Sequence, residues 1–341
     1  MALILGRSSE STEIILEEVD LSDPKSPAII ETYYLGYKNA YPRILAVSPS
    51  KTKVYIFLDE ESSEPNLLIF DKIKKTAIKN QKRLIKKVQT MTFSSDGKTL
   101  LTGSNDQFMI IELFLDYPNK QIFSGTGLDV ISNFSPSGVV QMNLSPDGNT
   151  LCLLRYVPKE GGYFKASIFE IVDVSNINEP KILSSFENST IFQRMDFSCN
   201  FNTAFLIQSE YTVVLEISNK SSPRIKTAYS GENSFSGIVM SSDEKTGFVQ
   251  RHLYYSDYLA PFHLDDTSGS KSSSTFNNIL VGRNARFMLI NDKTLLTLDN
   301  EILIYNVSDP KAPKVISSLP LVVNGLASDI RSHLLSPDGK T

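Results

Sequence analysis

The sequence contains no tryptophan, only two cysteines and three histidines, and no apolar run long enough to cross a membrane as a helix. Without tryptophan there is no repeat built on a Trp-Asp dipeptide. Two cysteines, Cys152 and Cys199, cannot form a disulfide framework, which leans toward a reducing, cytoplasmic compartment. A strong excess of one charge is also missing. With 41% hydrophobic residues, 21% charged residues and a net charge of -4, the chain reads as a soluble globular protein, neither disordered nor broadly nucleic-acid-binding. The opening MALILGRSSE has a very short apolar run before Arg7 and no basic leader, so no signal peptide is expected. At 341 residues the chain exceeds what one hydrophobic core usually fills, which leaves two domains or one architecture that grows by repetition.

Repetition is what is there. A short alternating strand ending in Ser and a tight turn recurs as RILAVSPSKT, QTMTFSSDGKT, VQMNLSPDGNT, QRMDFSCNFNT, SGIVMSSDEKT, a degenerate NNILVGRNARF, and SHLLSPDGKT. Aligned on Ser48, Ser94, Ser145, Ser198, Ser241, Gly282 and Ser336, the positions one and three before are large and apolar in nearly every copy. That is the period-two pattern of a strand with one large-residue face. Between them lie Ala46, Thr92, Asn143 and Asp196, smaller or polar, as strands crowding a common axis require. Asp-Gly in the turn is a hairpin signal, because the turn needs positive φ. A second strand follows each turn, then a third such as EILIYNVSDP, then a Pro-started fourth such as PKILSSF.

Four short strands per unit of about 50 residues, with no helical pattern, predict an all-β, seven-bladed β-propeller of four-stranded antiparallel blades. The strand around Ser332 to Ser336 is expected to pair with Ala2 to Gly6, so that N- and C-terminal strands close the ring in one blade. Residues 1–341 then read as a single propeller domain, with a longer native chain left open. The segments EILIYNVSDPKAPKVISSL, SIFEIVDVSNINEPKILSSF and EIILEEVDLSDPKSPAII resemble the LVIVD repeat. The resemblance implies a β-propeller and no agreed catalytic residues. NLLIFDKIKKTAIKNQKRL, FMIIELFLDYPNKQIF and the Arg251 to Ser274 region depart from it.

Four sets of residues invite a functional reading. His252 and His263 stand beside Asp257, Asp265 and Asp266, but metal ligation needs three or more convergent groups and the spacing offers no third ligand. His333 falls where other copies have Leu, Met or Ile, and reads as a core-lining residue. Asp96, Asp147, Asp243 and Asp338 are explained by turn chemistry. The least bland feature is a basic run of Lys72, Lys74, Lys75, Lys79, Lys82, Arg83, Lys86 and Lys87, expected on the outer rim, either guarding an edge strand or meeting an anionic surface.

No catalytic, metal or cofactor residue emerges from these sets, so the sequence is read as a noncatalytic protein-interaction scaffold that uses the basic patch. A protein partner is expected, an anionic surface is second, and sequence-specific nucleic acid is the least expected, since no aromatic residue is interleaved between Lys72 and Lys87. The alternative is a propeller hydrolase or lactonase with a metal at the channel mouth, drawing on Glu187, Asn188, Glu232 and Asn233.

Overall fold

The computed structural model describes residues 2–7, 13–38, 40–48, 50–60, 66–79, 88–94, 99–104, 108–112, 138–158, 164–176, 179–208, 211–230, 236–253, 256–264, 279–281, 286–298, 301–320 and 332–335. All regular elements among them are strands, grouped in seven antiparallel sheets. Sheet I orders β27 (Ser332–Leu335), β1 (Ala2–Arg7), β2 (Glu13–Asp20) and β3 (Ala28–Lys38). Sheet II holds β4 (Ala40–Val47), β5 (Lys53–Glu60), β6 (Asn66–Asp71) and β7 (Thr76–Lys79). Sheet III holds β8 (Val88–Phe93), β9 (Thr99–Ser104) and β10 (Phe108–Glu112). Sheet IV holds β11 (Val139–Leu144), β12 (Thr150–Pro158), β13 (Phe164–Asp173) and β14 (Lys181–Asn188). Sheet V holds β15 (Arg194–Phe197), β16 (Thr203–Gln208), β17 (Tyr211–Glu216) and β18 (Arg224–Ser230). Sheet VI holds β19 (Gly237–Met240), β20 (Thr246–Leu253), β21 (Ser256–His263) and β22 (Ile279–Val281). Sheet VII holds β23 (Arg286–Asn291), β24 (Thr294–Leu298), β25 (Glu301–Asn306) and β26 (Lys314–Pro320).

This is an all-β propeller, but the expectation of seven four-stranded blades is corrected. Six sheets have four strands, and sheet III has three among the described residues. Residues 113–137, which follow β10, lie outside the described residues. A second correction concerns the marker at Gly282. Ile279–Val281 is the outer strand of sheet VI, pairing with Leu259 to Asp257. The inner strand of sheet VII is instead Arg286–Asn291, whose turn is only Asp292-Lys293, so it carries no Ser-Pro-Asp-Gly signature.

The recurring serine has a clear physical role. Its amide donates to the carbonyl five residues on, as from Ser145 to Thr150 at 2.8 Å and from Ser198 to Thr203 at 3.0 Å. Its hydroxyl accepts the amide of that same residue, at 2.9 Å in both turns. The third residue past the serine must take positive φ: Gly148 does so at 74°, while Lys51, Phe201 and Glu244 adopt 59°, 60° and 58°. Only one of these four turns therefore uses glycine where the conformation favours it. Asp147 and Asp243 accept from the serine hydroxyl and from turn amides, which holds both carboxyls below their ordinary range. Asp96 and Asp338 lie outside the described residues.

Hydrophobic clusters join consecutive sheets all the way round: I to II, II through III to IV, IV to V, V to VI, VI to VII, and VII back to I. Within sheet I the ring is completed by β1 pairing with β27, Ala2 opposite Leu335 and Leu5 opposite Ser332. Four outer strands share a bulge at the same register, opposite Glu18/Val19, Ile171/Val172, Val214/Leu215 and Ile304/Tyr305. Such a bulge twists an exposed edge away from templated pairing with another chain.

One buried position is answered differently in two sheets. Glu170 lies opposite Leu153, and Arg155 meets it with Nε and Nη2 at 2.7 and 2.6 Å. Glu17 holds the same register in sheet I, opposite Ile4, but the counterpart of Arg155 there is Gly6. Glu17 is 6% exposed, its Oε1 accepts no hydrogen bond, and burial raises its pKa above the ordinary 4.5. Below about pH 4.5 the carboxyl is neutral in both folded and unfolded chains. As pH rises the unfolded chain ionises first, and stability falls by up to about 1.4 kcal/mol per pH unit until the folded pKa is passed. Glu17→Gln should therefore raise the melting temperature at pH 7, with the gain shrinking toward zero at pH 4, in thermal melts followed by circular dichroism.

Candidate functional site

In a propeller the innermost strand of each sheet turns one backbone edge toward the central channel, where no further strand can pair with it. Those amides and carbonyls need other partners. Two side chains meet that need by reaching from one inner strand to the next. Gln141 on β11 donates Nε2 to the Met195 carbonyl at 2.7 Å and accepts the Met195 amide on Oε1 at 2.8 Å. Asp196 on β15 accepts the Ile238 amide of β19 on Oδ2 at 3.1 Å. Its other oxygen, Oδ1, accepts from Arg194 Nε at 2.8 Å.

Strand register fixes which residues share a level around the channel. Counting from the residue that closes each turn, Gln141, Arg194, Gly237 and Arg286 are equivalent, paired with Leu154, Ile207, Gln250 and Leu298 on the second strands. Thr90 opposite Gly103, Ile44 opposite Phe57 and Ser332 opposite Leu5 complete the level. Two guanidiniums thus stand at one height, on sheets V and VII, with a glycine on the sheet between them. A Cβ built on Gly237 would meet Arg194 Nη1 at 3.3 Å and the Phe287 ring at 3.3 Å, so this glycine makes the room that Arg194 occupies.

Arg286 is reached by solvent yet desolvated. Burial is the largest cause lowering its pKa, the charge of Arg194 lowers it further, and Asp196 acts in the opposite sense. Among the described residues, Arg194 and Arg286 form a belt of two cations at this level, with Asp196 paired to Arg194 and close enough to act on Arg286. Such a belt can orient an anionic group or stabilise negative charge developing on an oxygen, more strongly than in open water.

The residues singled out from sequence fare differently. Lys72 pairs with Glu18 of sheet I at 2.8 Å, with both side chains largely buried, and Lys75 pairs with Glu31. The single hydroxyl proton of Tyr33 is shared between the two carboxylates, at 3.3 Å from Glu18 and 3.0 Å from Glu31, and its own pKa is pushed upward, first by desolvation. These lysines knit sheets I and II together. Lys74 is exposed, Lys79 lies on β7, and Lys82, Arg83, Lys86 and Lys87 lie outside the described residues. His263 is exposed and pairs with Thr246, whereas Asp257 is 1% exposed near the other end of β21 and accepts from Gln250 Nε2 at 2.7 Å. His252 is the register partner of Asp257, and His333 that of Ile4. Asp265, Asp266, Glu232 and Asn233 lie outside the described residues. Asn188 Oδ1 accepts the Thr190 amide at 2.8 Å in a local turn, and Glu187 is exposed. Among the described residues no three His, Cys, Asp or Glu side chains converge as metal ligands, and no helix is long and apolar enough to cross a membrane.

Sequence reasoning noted Asp196 and Asn143 as polar residues near the axis but missed Arg194 and Arg286. The signal was the position four before the marker, which reads Gln141 and Arg194 in successive copies. In sheet VII the sixth marker was set at Gly282, and the register shift between Leu289 and Asn291 puts Arg286 five residues before Asn291, so the same count would not have found it.

No protein-family model and no curated protein matches the sequence. Solved structures do match its fold from end to end. A protein from Bacteroides uniformis, provisionally described as a 6-phosphogluconolactonase, has a TM-score of 0.63 at 16% identity, covering 98% of each chain. A periplasmic gluconolactonase from Pseudomonas aeruginosa has a TM-score of 0.61 at 15% identity, covering 96% of this chain and 97% of that one. A protein from Lactobacillus plantarum has a TM-score of 0.62 at 12% identity, covering 94% and 96%. At these identities the likeness shows the fold alone. The expectation of a noncatalytic scaffold is nevertheless corrected to the extent that two of these full-length neighbours carry lactonase descriptions, one of them provisional, which favours the hydrolase alternative over it.

Gln141→Leu should leave the Met195 amide and carbonyl without their side-chain partner, lowering stability by about 1–3 kcal/mol in urea unfolding.

Proposed function

We propose that the chain is a propeller hydrolase that opens lactones of oxidised sugars, with the substrate held against Arg194 and Arg286 in the channel wall. The observation that carries this reading is the pair of guanidiniums at one register level, separated by the side-chain-free Gly237. Support also comes from the lactonase descriptions of two full-length fold neighbours. In lactone hydrolysis water adds to the carbonyl carbon, the ring carbon–oxygen bond breaks, and the departing oxygen takes up a proton. Negative charge gathers on the carbonyl oxygen in between. A fixed guanidinium directed at that oxygen stabilises it without reorganising at the moment of reaction. The second guanidinium has the geometry to hold a carboxylate or phosphate elsewhere on the substrate. Asp196 already accepts from Arg194 and from the Ile238 amide, so its part is to hold rather than to abstract a proton.

We also propose that the strand–turn–strand units typified by EILIYNVSDPKAPKVISSL are LVIVD-type repeats. The recurrence of one outer-strand bulge in sheets I, IV, V and VII supports a common unit.

The test is hydrolysis of glucono-δ-lactone and 6-phosphoglucono-δ-lactone, followed by pH-stat against the spontaneous rate. Acceleration is expected, with Arg194→Ala and Arg286→Ala each lowering kcat/KM by about 10²-fold. A wild-type rate equal to the spontaneous one for both lactones would falsify the proposal.

A further inference from the structure

The geometry points to a positioning role for Asp196: we infer that it fixes the Arg194 guanidinium in the orientation that binds an anion in the channel. This rests on the proposal that Arg194 and Arg286 hold an anionic group, and deepens it by naming what aims one of them.

An arginine on a four-residue strand facing an open channel has several rotatable bonds and no inherent direction. Asp196 removes that freedom from two sides. Oδ1 accepts from Arg194 Nε at 2.8 Å, which fixes the inner end of the guanidinium plane and leaves its terminal nitrogens to point onward. Oδ2 accepts the Ile238 amide at 3.1 Å, which ties the carboxylate to the next sheet. The guanidinium is thereby referenced to two sheets at once. The Asp196 side chain is 13% exposed and that of Arg194 32%, so the holding group is drier than the held one. Gly237 adds the complementary condition. Arg194 Nη1 lies 3.3 Å from the point a Cβ would occupy there, so the arginine is directed into a gap in sheet VI rather than folded back.

Gln141, one sheet earlier at the same register as Arg194, bridges to the neighbouring inner strand with no charge at all. Bridging the edge of the next strand does not, then, require a carboxylate. A second acceptor aimed at an arginine Nε does require an oxygen where Asp196 has one. The carboxylate is explained by Arg194 rather than by the backbone edge.

Asp196→Asn separates this role from simple electrostatics. Asn can still accept the Ile238 amide, but its NH₂ cannot accept from Arg194 Nε. Removing a negative charge beside two guanidiniums should by Coulomb's law tighten anion binding. Loss of positioning predicts the opposite, because a freed arginine must be ordered again on binding.

The experiment titrates inorganic phosphate into the full chain and its variants by isothermal calorimetry. The expected result is a roughly three- to tenfold weaker Kd for Asp196→Asn, together with loss of the protected Arg194 Nε–H resonance in ¹⁵N spectra. Unchanged or tighter phosphate binding by Asp196→Asn overturns the inference. If Arg194→Ala and Arg286→Ala weaken binding while Asp196→Asn does not, the anion site stands and only the role of Asp196 falls. If neither arginine variant changes the affinity, or wild type does not bind phosphate, the anion site falls and this inference with it. Should Asp196→Asn not fold, Asp196→Glu is titrated instead. It keeps the charge but moves the carboxylate by one methylene, and unchanged affinity in that variant overturns the positioning role.

Discussion

The inner backbone edge is the constraint on which the rest of this structure depends. Each sheet of the ring ends, toward the axis, in a strand with one edge that no further strand can pair, and the channel exists because seven such edges face one another. Water or side chains must satisfy them, and the sequence supplies Gln141 and Asp196 in successive sheets. Polar residues near the axis are therefore required by the backbone before they are available for function. What distinguishes a site from this background is a side chain that the edge does not need, and Arg194 and Arg286 are of that kind.

The propeller was legible because its determinants are local. Period-two alternation, a serine whose hydroxyl accepts the amide five residues on, and a turn that needs positive φ all fall within ten residues, and they survive replacement of the turn glycine by Lys51, Phe201 or Glu244. The pairing of β1 with β27 was legible for a similar reason, since each half of that sheet lacked the strand the other supplied. Sheet VII was misplaced because its turn has two residues instead of five and no serine, so Ile279–Val281, an outer strand, passed for an inner one.

The arginine belt was illegible for the converse reason. Arg194 and Arg286 are separated by the whole of sheet VI in sequence, and only ring geometry brings them to one height. Charge in the basic run drew attention because it was contiguous, yet Lys72 and Lys75 are answered by Glu18 and Glu31 of the next sheet. Contiguity in sequence marks an edge. Convergence of positions a sheet or more apart marks a channel.

The level that carries the arginines also breaks the approximate rotational symmetry of the ring. Passing from sheet II round to sheet I it reads Ile44, Thr90, Gln141, Arg194, Gly237, Arg286 and Ser332. Among the described residues at this level, the cations Arg194 and Arg286 stand on sheets V and VII, with Gly237 on the sheet between them. Repetition of one unit therefore does not make the sheets equivalent at this height. On the proposed reading, an anionic group would meet the wall at sheets V to VII and not at any sheet of the ring, so a molecule with unlike ends would be held in one orientation.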